Sequence, residues 1–338
     1  MVALVAGCAK SQVVEPTSVA RATRSVVFEG MCDASGAVPI SDHTFAVADD
    51  EDNVLRVYDA DRGGPPLSSV DLSPDLDLPQ KPGRKRARKP PETDIEAATR
   101  LGDRAVWITS HGRNSKGKPR PERLRFFATD IPSDKRPIRL AGAPYAGLLE
   151  DLIADARTAP FELAHAATIA PKAPGGLNIE GLTSTPDGHL LIGFRNPTPG
   201  DRAIVVPLLN PDEIFAGGRA RFGDPLLLDL GGLGVRSLSW WHGAYLIAAG
   251  PANSGAPSRL FTWDGVGRPH PVVDLEFSSF NPEGFFTPEN RDELLLLSDD
   301  GEVIVDGVRC KDAEVAAHKR FRGAWVRLAE RRPKDSLH

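Results

Sequence analysis

A short phrase recurs five times along the chain and restricts its fold more than any other feature. In its fullest form it reads Asn178-Ile179-Glu180-Gly181-Leu182, a Pro186-Asp187-Gly188 turn, and an apolar run from His189 to Phe194 that ends in the polar pair Arg195-Asn196. The turn chemistry suits a hairpin, because proline presets φ and glycine supplies positive φ. The second run is apolar at nearly every position, as in a strand covered on both faces.

The other copies keep the same order. Phe28-Glu29-Gly30 precedes Thr44 to Ala48 and then Asp49-Asp50; Asp94-Ile95-Glu96-Ala97 precedes Ala105 to Thr109 and then Ser110-His111-Gly112-Arg113. Val235-Arg236-Ser237 precedes Ala244 to Ala249, with arginine in the glutamate place, and Asn281-Pro282-Glu283-Gly284 precedes Glu293 to Leu297 and then Ser298-Asp299-Asp300. Copies at uneven spacings of roughly 45 to 85 residues are what four-stranded blades with loop insertions leave in a sequence. The expected fold is all-β, a five-bladed β-propeller with six blades as the alternative.

The domain reading follows. Residues 1–24 are expected to be a signal remnant and lipoprotein tether, 25–330 one propeller and 331–338 a polar tail. Residues 73–93 are a basic, Pro-rich insertion. Residues 142–175 are a second insertion, in which Leu148, Leu149, Leu152, Ile153 and Ala156 fall on one face of a helix from about Tyr145 to Ala156. An N-terminal strand is expected to complete the last blade, since closure removes exposed edges. Its outer strands are expected at Gly301 to Val308 and Arg322 to Leu328. The formal net charge of -5 argues against general nucleic-acid binding, and no run of 18 apolar residues suggests a membrane span.

In a propeller the first strand of each blade lines the channel and the second returns antiparallel, so strand-one starts and strand-two ends share one mouth. That expectation gathers Glu29, Glu96, Glu180, Glu283 and Arg236 with Asp50, His111, Arg113, Arg195, Asn196 and Asp299. So many carboxylates raise one another's pKa unless cations intervene. Glu29, Asp50, Glu96, Glu180, Glu283 and Asp299 are the candidate metal ligands, and an oxygen-only set favours calcium or magnesium over zinc, with calcium the preferred cofactor. Arg113, Arg195, Asn196 and Arg236 are candidate donors to an anionic ligand, and His111 a candidate acid or base. A structural reading stands beside this one: each glutamate accepts backbone N–H groups of the adjacent blade, and the following glycine lets that backbone approach.

Gly112 to Lys118 has the spacing of a phosphate-binding loop, but Pro119 stands where Ser or Thr belongs. Neither a Gly-x-Ser-x-Gly elbow nor a His-Glu-x-x-His helix is present. Leu4-Val5-Ala6-Gly7-Cys8 looks like a bacterial lipoprotein signal box, with Cys8 as the lipidated residue and the only membrane contact; an ordinary small-residue N-terminus is the other reading. The box lacks a basic region before it, so a start upstream of Met1 is expected. Of three cysteines, Cys32 and Cys310 then remain, in the first and last blades, either as a disulfide at ring closure or as two buried thiols.

The motifs NIEGL, LLIGFRNP, LGGLGVRSLSW, LIAAGP and ITSHGRNSKGKPRPERLRFFA together resemble the bacterial family called domain of unknown function 3616, over about Phe28 to Leu328. That family is more distantly similar to the esterase-like domain of certain phytases. The resemblance implies a propeller exported to the bacterial cell envelope, in the periplasm or as an outer-membrane lipoprotein; it supplies no reaction. The functional expectation is a propeller that binds a divalent cation and an anionic, phosphorylated small ligand at its mouth, with phosphoesterase as the matching reaction class. The alternative is a non-catalytic envelope scaffold that binds a partner.

Overall fold

The computed structural model describes residues 18–79, 90–132, 137–253, 257–273 and 280–330. Cys8 and most of the basic tract in the 73–93 insertion lie outside them. Five sheets follow one another around a central axis. The chain begins with β1 (Ser18–Glu29). Blade one is β2 (Ala34–Pro39), β3 (Thr44–Asp49), β4 (Val54–Asp59) and β5 (Ser68–Asp71). Blade two is β6 (Ile95–Leu101), β7 (Arg104–Thr109) and β8 (Phe126–Asp130). Blade three is β9 (Asn178–Ser184), β10 (Leu190–Asn196), β11 (Ala203–Leu208) and β12 (Leu226–Leu228). Blade four is β13 (Gly234–Trp241), β14 (Ala244–Gly250), β15 (Arg259–Trp263) and β16 (His270–Pro271).

Blade five contains β17 (Pro282–Phe286) and β18 (Glu293–Ser298). A separate hairpin, β19 (Ile304–Val305) and β20 (Val308–Arg309), precedes β21 (Arg320–Glu330). The sheet order β1-β21-β18-β17 makes the N-terminal strand the outermost strand of the last blade, so the ring is closed by pairing the two ends of the chain. The expected strand at Gly301 to Val308 is not part of this sheet. That segment folds back on itself, and β21 takes the place beside β18.

The apolar runs form strands because each is covered on both faces by neighbouring blades. All seven residues of β10 are buried, as are the last five of β7 and β18. Five apolar layers separate successive blades. The layer between blades five and one is aromatic: Phe28 stacks on Phe321 at 4.8 Å and meets Phe45 and Tyr58 edge-on. Burying each such ring stabilises the fold by about 2–3 kcal/mol. Trp241 sits in the layer between blades four and five, and Trp240 packs against the one between three and four.

The expected outer helix is α1 (Leu148–Ala154), shorter than the periodicity suggested. Two more short helices accompany it, α2 (Leu163–Ala166) and α3 (Pro211–Phe215), so the expectation of a single helix is corrected. Their apolar sides join the layer between blades two and three, where Phe215 stacks on Phe126. Among the described residues no helix is long and apolar enough to cross a membrane.

Candidate metal centre

The inner strands β2, β6, β9, β13 and β17 are successive neighbours around the axis, and β17 meets β2. Each carries a break in register near its start. Ile95 faces Thr109 and Ala97 faces Ile108, which leaves Glu96 as the extra residue of a bulge. Glu180, Arg236 and Glu283 occupy the same place in β9, β13 and β17. A bulge re-aims one side chain without ending the strand, so the recurrent Glu or Arg is the residue each bulge turns toward the mouth. The residue after it must be small. A Cβ on Gly181 would lie 2.7 Å from Val235 Cγ1 of the next blade, and one on Gly284 3.1 Å from the Ser35 carbonyl.

Blade one departs from the pattern, and Glu29 is the correction. It is an exposed residue at the end of β1, opposite Arg320, on the outside of the ring. The phrase Phe28-Glu29-Gly30 is spelled like a strand entry, but Phe28 feeds the closing aromatic layer and Gly30 turns the chain at φ +96°. The bulge in β2 falls at Ser35-Gly36, and the mouth carboxylate of this blade is Asp33, buried just before the strand.

Glu96, Glu180, Glu283, Asp50, Asp94 and Asp299 line a cavity of about 830 Å³ at the mouth, with Arg195 and Arg236 among them. Arg195 donates Nη1 to Glu180 Oε1 at 2.7 Å and Nε to the Pro251 carbonyl at 2.9 Å. Arg236, 5% exposed, reaches Glu283 at 2.5 Å, Asp299 at 3.6 Å and Glu180 Oε2 at 3.7 Å, and also bonds Asn281. Glu180 and Glu283 thus meet side chains rather than the backbone N–H groups of the adjacent blade.

The compensation is uneven. Asp94 is paired with Arg123 at 2.7 Å, whereas Glu96, 7% exposed, has no hydrogen-bond or ion-pair partner among the described residues. Asp50 Oδ1, Glu180 Oε2 and Asn178 Oδ1 are buried oxygens with no donor. Burial first, then repulsion from Asp33 and Glu96, pushes Asp50 well above the usual carboxylate range; burial and Glu180 do the same to Glu96. Burial pushes Glu283 up to about 8 and Asp94 up to about 6. Burial, then the hydrogen bond with Asp299 and its repulsion, pushes Asp33 up to about 10, while Asp33 and Arg236 together hold Asp299 low against its burial.

Three sets of carboxylates bring one oxygen each to within 4.8 Å of the others: Asp33, Asp50 and Glu51; Asp50, Asp94 and Glu96; and Glu96, Glu180 and Glu283. Each can hold a metal ion. Their all-oxygen chemistry suits a hard cation.

Residues 139–273 match the family described as "Protein of unknown function (DUF3616)". No curated protein sequence matches the chain. Among solved structures, the glutaminyl cyclase of Myxococcus xanthus is similar at 12% identity, covering 94% of this chain and 100% of its own, with a TM-score of 0.49. The PQQ-bound aldose sugar dehydrogenase of Streptomyces coelicolor is 12% identical over 92% of this chain and 98% of its own, TM-score 0.44. An exo-β-1,3-galactanase of Phanerochaete chrysosporium is 8% identical over 90% and 64%, TM-score 0.47. Likenesses of this size bear on neither activity nor ligand.

Other predicted site residues serve the scaffold around this mouth. His111 is buried off the cavity lining, with positive φ; its Nδ1–H donates to the Thr109 carbonyl at 2.8 Å, and burial pulls its pKa down to about 4. It is a neutral anchor and does not face the acidic cluster. Arg113 holds the Ala167 and Gly117 carbonyls, and Asn196 holds those of Pro171 and Ala173. Neither lines the cavity. Cys32 and Cys310 form the disulfide. The reading of single phrases missed Asp33, Asp94 and Asn178. For the last two a signal existed: Asp94-x-Glu96, Asn178-x-Glu180 and Asn281-x-Glu283 repeat a polar side chain two residues before the bulge.

Proposed function

We propose that the channel mouth binds a divalent cation, calcium, and through it an anionic small ligand of the phosphate or phosphomonoester class. The observation that carries this reading is Glu180, 2% exposed, which brings a carboxylate oxygen within 4.8 Å of oxygens of Glu96 and Glu283 and whose Oε2 accepts no hydrogen bond, Arg236 Nε standing 3.7 Å away. A buried carboxylate oxygen without a hydrogen bond is costly. A cation seated among these three and Asn178 Oδ1 removes that cost, and calcium accepts six to eight such oxygens at about 2.3–2.6 Å.

The arginines are not free to receive the ligand, since Arg195 and Arg236 are held by Glu180 and Glu283. Attraction for an anion therefore comes from the cation's open positions and from Lys172, an exposed residue on the cavity lining. Bound calcium would supply Lewis acidity for phosphoester cleavage. This chain would hold the ligand and exclude bulk water from one side of it.

The test is calorimetric titration of chelator-treated protein with calcium, followed by inorganic phosphate and a panel of phosphomonoesters. Calcium is expected to bind and raise Tm, Glu180→Gln to diminish the rise, and phosphate to bind only after calcium. A wild-type protein that ignores calcium in both calorimetry and melting would end the proposal.

A further inference from the structure

We infer that the mouth holds two cations rather than one, with Glu96 bridging them. This rests on the calcium reading above and extends it to a second seat formed by Asp50, Asp94 and Glu96. Of the three oxygen sets, the two whose residues all line the cavity share a single residue, Glu96. One residue of each set also carries a buried oxygen that accepts no hydrogen bond, Asp50 through Oδ1 and Glu180 through Oε2. Glu96 itself, more than nine-tenths buried, has no hydrogen-bond or ion-pair partner among the described residues, so both of its oxygens remain for ligation.

Charge supports the count. Asp50, Asp94, Glu96, Glu180, Glu283 and Asp299 line the mouth, while the guanidiniums that pair with them there are those of Arg123, Arg195 and Arg236. One divalent ion in the Glu180 seat would leave the Asp50 side uncompensated. The ion pairs are divided unequally too: Arg195 and Arg236 serve Glu180 and Glu283, whereas of Asp50, Asp94 and Glu96 only Asp94 is ion-paired among the described residues, to Arg123, which it shares with Glu92.

A carboxylate bridging two ions places them on the order of 4 Å apart. Two oxygens of one phosphate can then each meet a cation. The ligand class this selects is a phosphate or phosphomonoester with at least two free oxygens; a carboxylate ligand has only its own pair and leaves no third oxygen to Lys172.

The experiment counts ions. Chelator-treated full-length protein is titrated with calcium in a calorimeter, and separately loaded with Mn2+ for electron paramagnetic resonance. Two ions per chain are expected, with a broadened, exchange-coupled Mn2+ spectrum. Asp50→Asn and Glu180→Gln should each retain one ion and give the six-line spectrum of isolated Mn2+, while Glu96→Gln should weaken both sites at least tenfold. A single wild-type ion, uncoupled in the spectrum and unaffected by Asp50→Asn, would overturn the bridge and leave the one-cation reading intact; no bound ion would remove both. The wild-type spectrum decides the question even if a variant fails to fold.

Discussion

Cys32 and Cys310 are bonded to each other across 278 residues of sequence, with their Cα atoms 5.9 Å apart. The bond ties the start of blade one to the hairpin insertion of blade five, beside the paired ends of β1 and β21. Around it, Asp300 N–H donates to the Cys32 carbonyl at 2.9 Å, and a Cβ on Gly301 would fall within 2.2 Å of the Asp33 carboxylate. The disulfide thus braces the acidic residue that blade one contributes to the mouth. A loop this long is expected to stabilise the fold by about 2–5 kcal/mol through restriction of the unfolded chain. The Cys32→Ser, Cys310→Ser double variant should melt lower by an amount in that range, measured by denaturant titration without reductant, and its calcium affinity should fall as well.

Phe28 makes the second closure. It is fully buried between Phe45, Tyr58 and Phe321, on a strand whose only neighbour in the sheet is β21. Phe28→Ala should cost about 3–5 kcal/mol by cavity formation. Since β1 is an edge strand, the loss should appear first as hydrogen exchange of β1 amides, ahead of the other blades. Uniform exchange across all blades would show that closure is not a separable step.

The blades were legible in the sequence because their signal is local. Pro186-Asp187-Gly188 and the apolar run after it specify a hairpin within a few residues, and β9 and β10 form it. Glu96, Glu180, Arg236 and Glu283 were legible as mouth residues for the same reason, although the bulge that aims them is a feature of pairing and is not written in any one strand. Glu29 misled because a closing strand and an inner strand can begin with the same letters. Which of them it is depends on β21, nearly 300 residues away in the chain. His111 misled differently. Its place after β7 is at the correct end of the strand, but positive φ turns the ring into the protein.

Gly181 links the repeat to packing. It faces Gly193 in the sheet, and Val235 of blade four fills the space that two missing side chains leave. Gly181→Ala would place a methyl group 2.7 Å from Val235 Cγ1 and 3.0 Å from Gly193 Cα, so the blades must separate. A loss of about 1–3 kcal/mol is expected from such overpacking. Gly181→Ala with Val235→Ala should recover part of it. If the pair proves additive, the contact between blades three and four is not what requires glycine here.

Asp61 gives the outer closure a pH dependence. It receives Arg291 at 2.7 Å, His43 Nδ1 at 2.7 Å, and Arg24 from β1, joining blade one, blade five and the N-terminal strand. Burial works against its charge, but the hydrogen bonds from Arg291, His43 and Arg24 prevail and hold the carboxyl well below the usual range. A depressed folded pKa means stability that is present above the unfolded value near about 4 and lost as pH falls through the folded one. The group is 28% exposed, so solvent screening reduces its contribution to about 1 kcal/mol. Between pH 5 and pH 2, wild-type stability should therefore fall more steeply than that of Asp61→Asn, and the two curves should converge at the acid end. Parallel curves across that range would show that the three partners do not depend on the charge of Asp61.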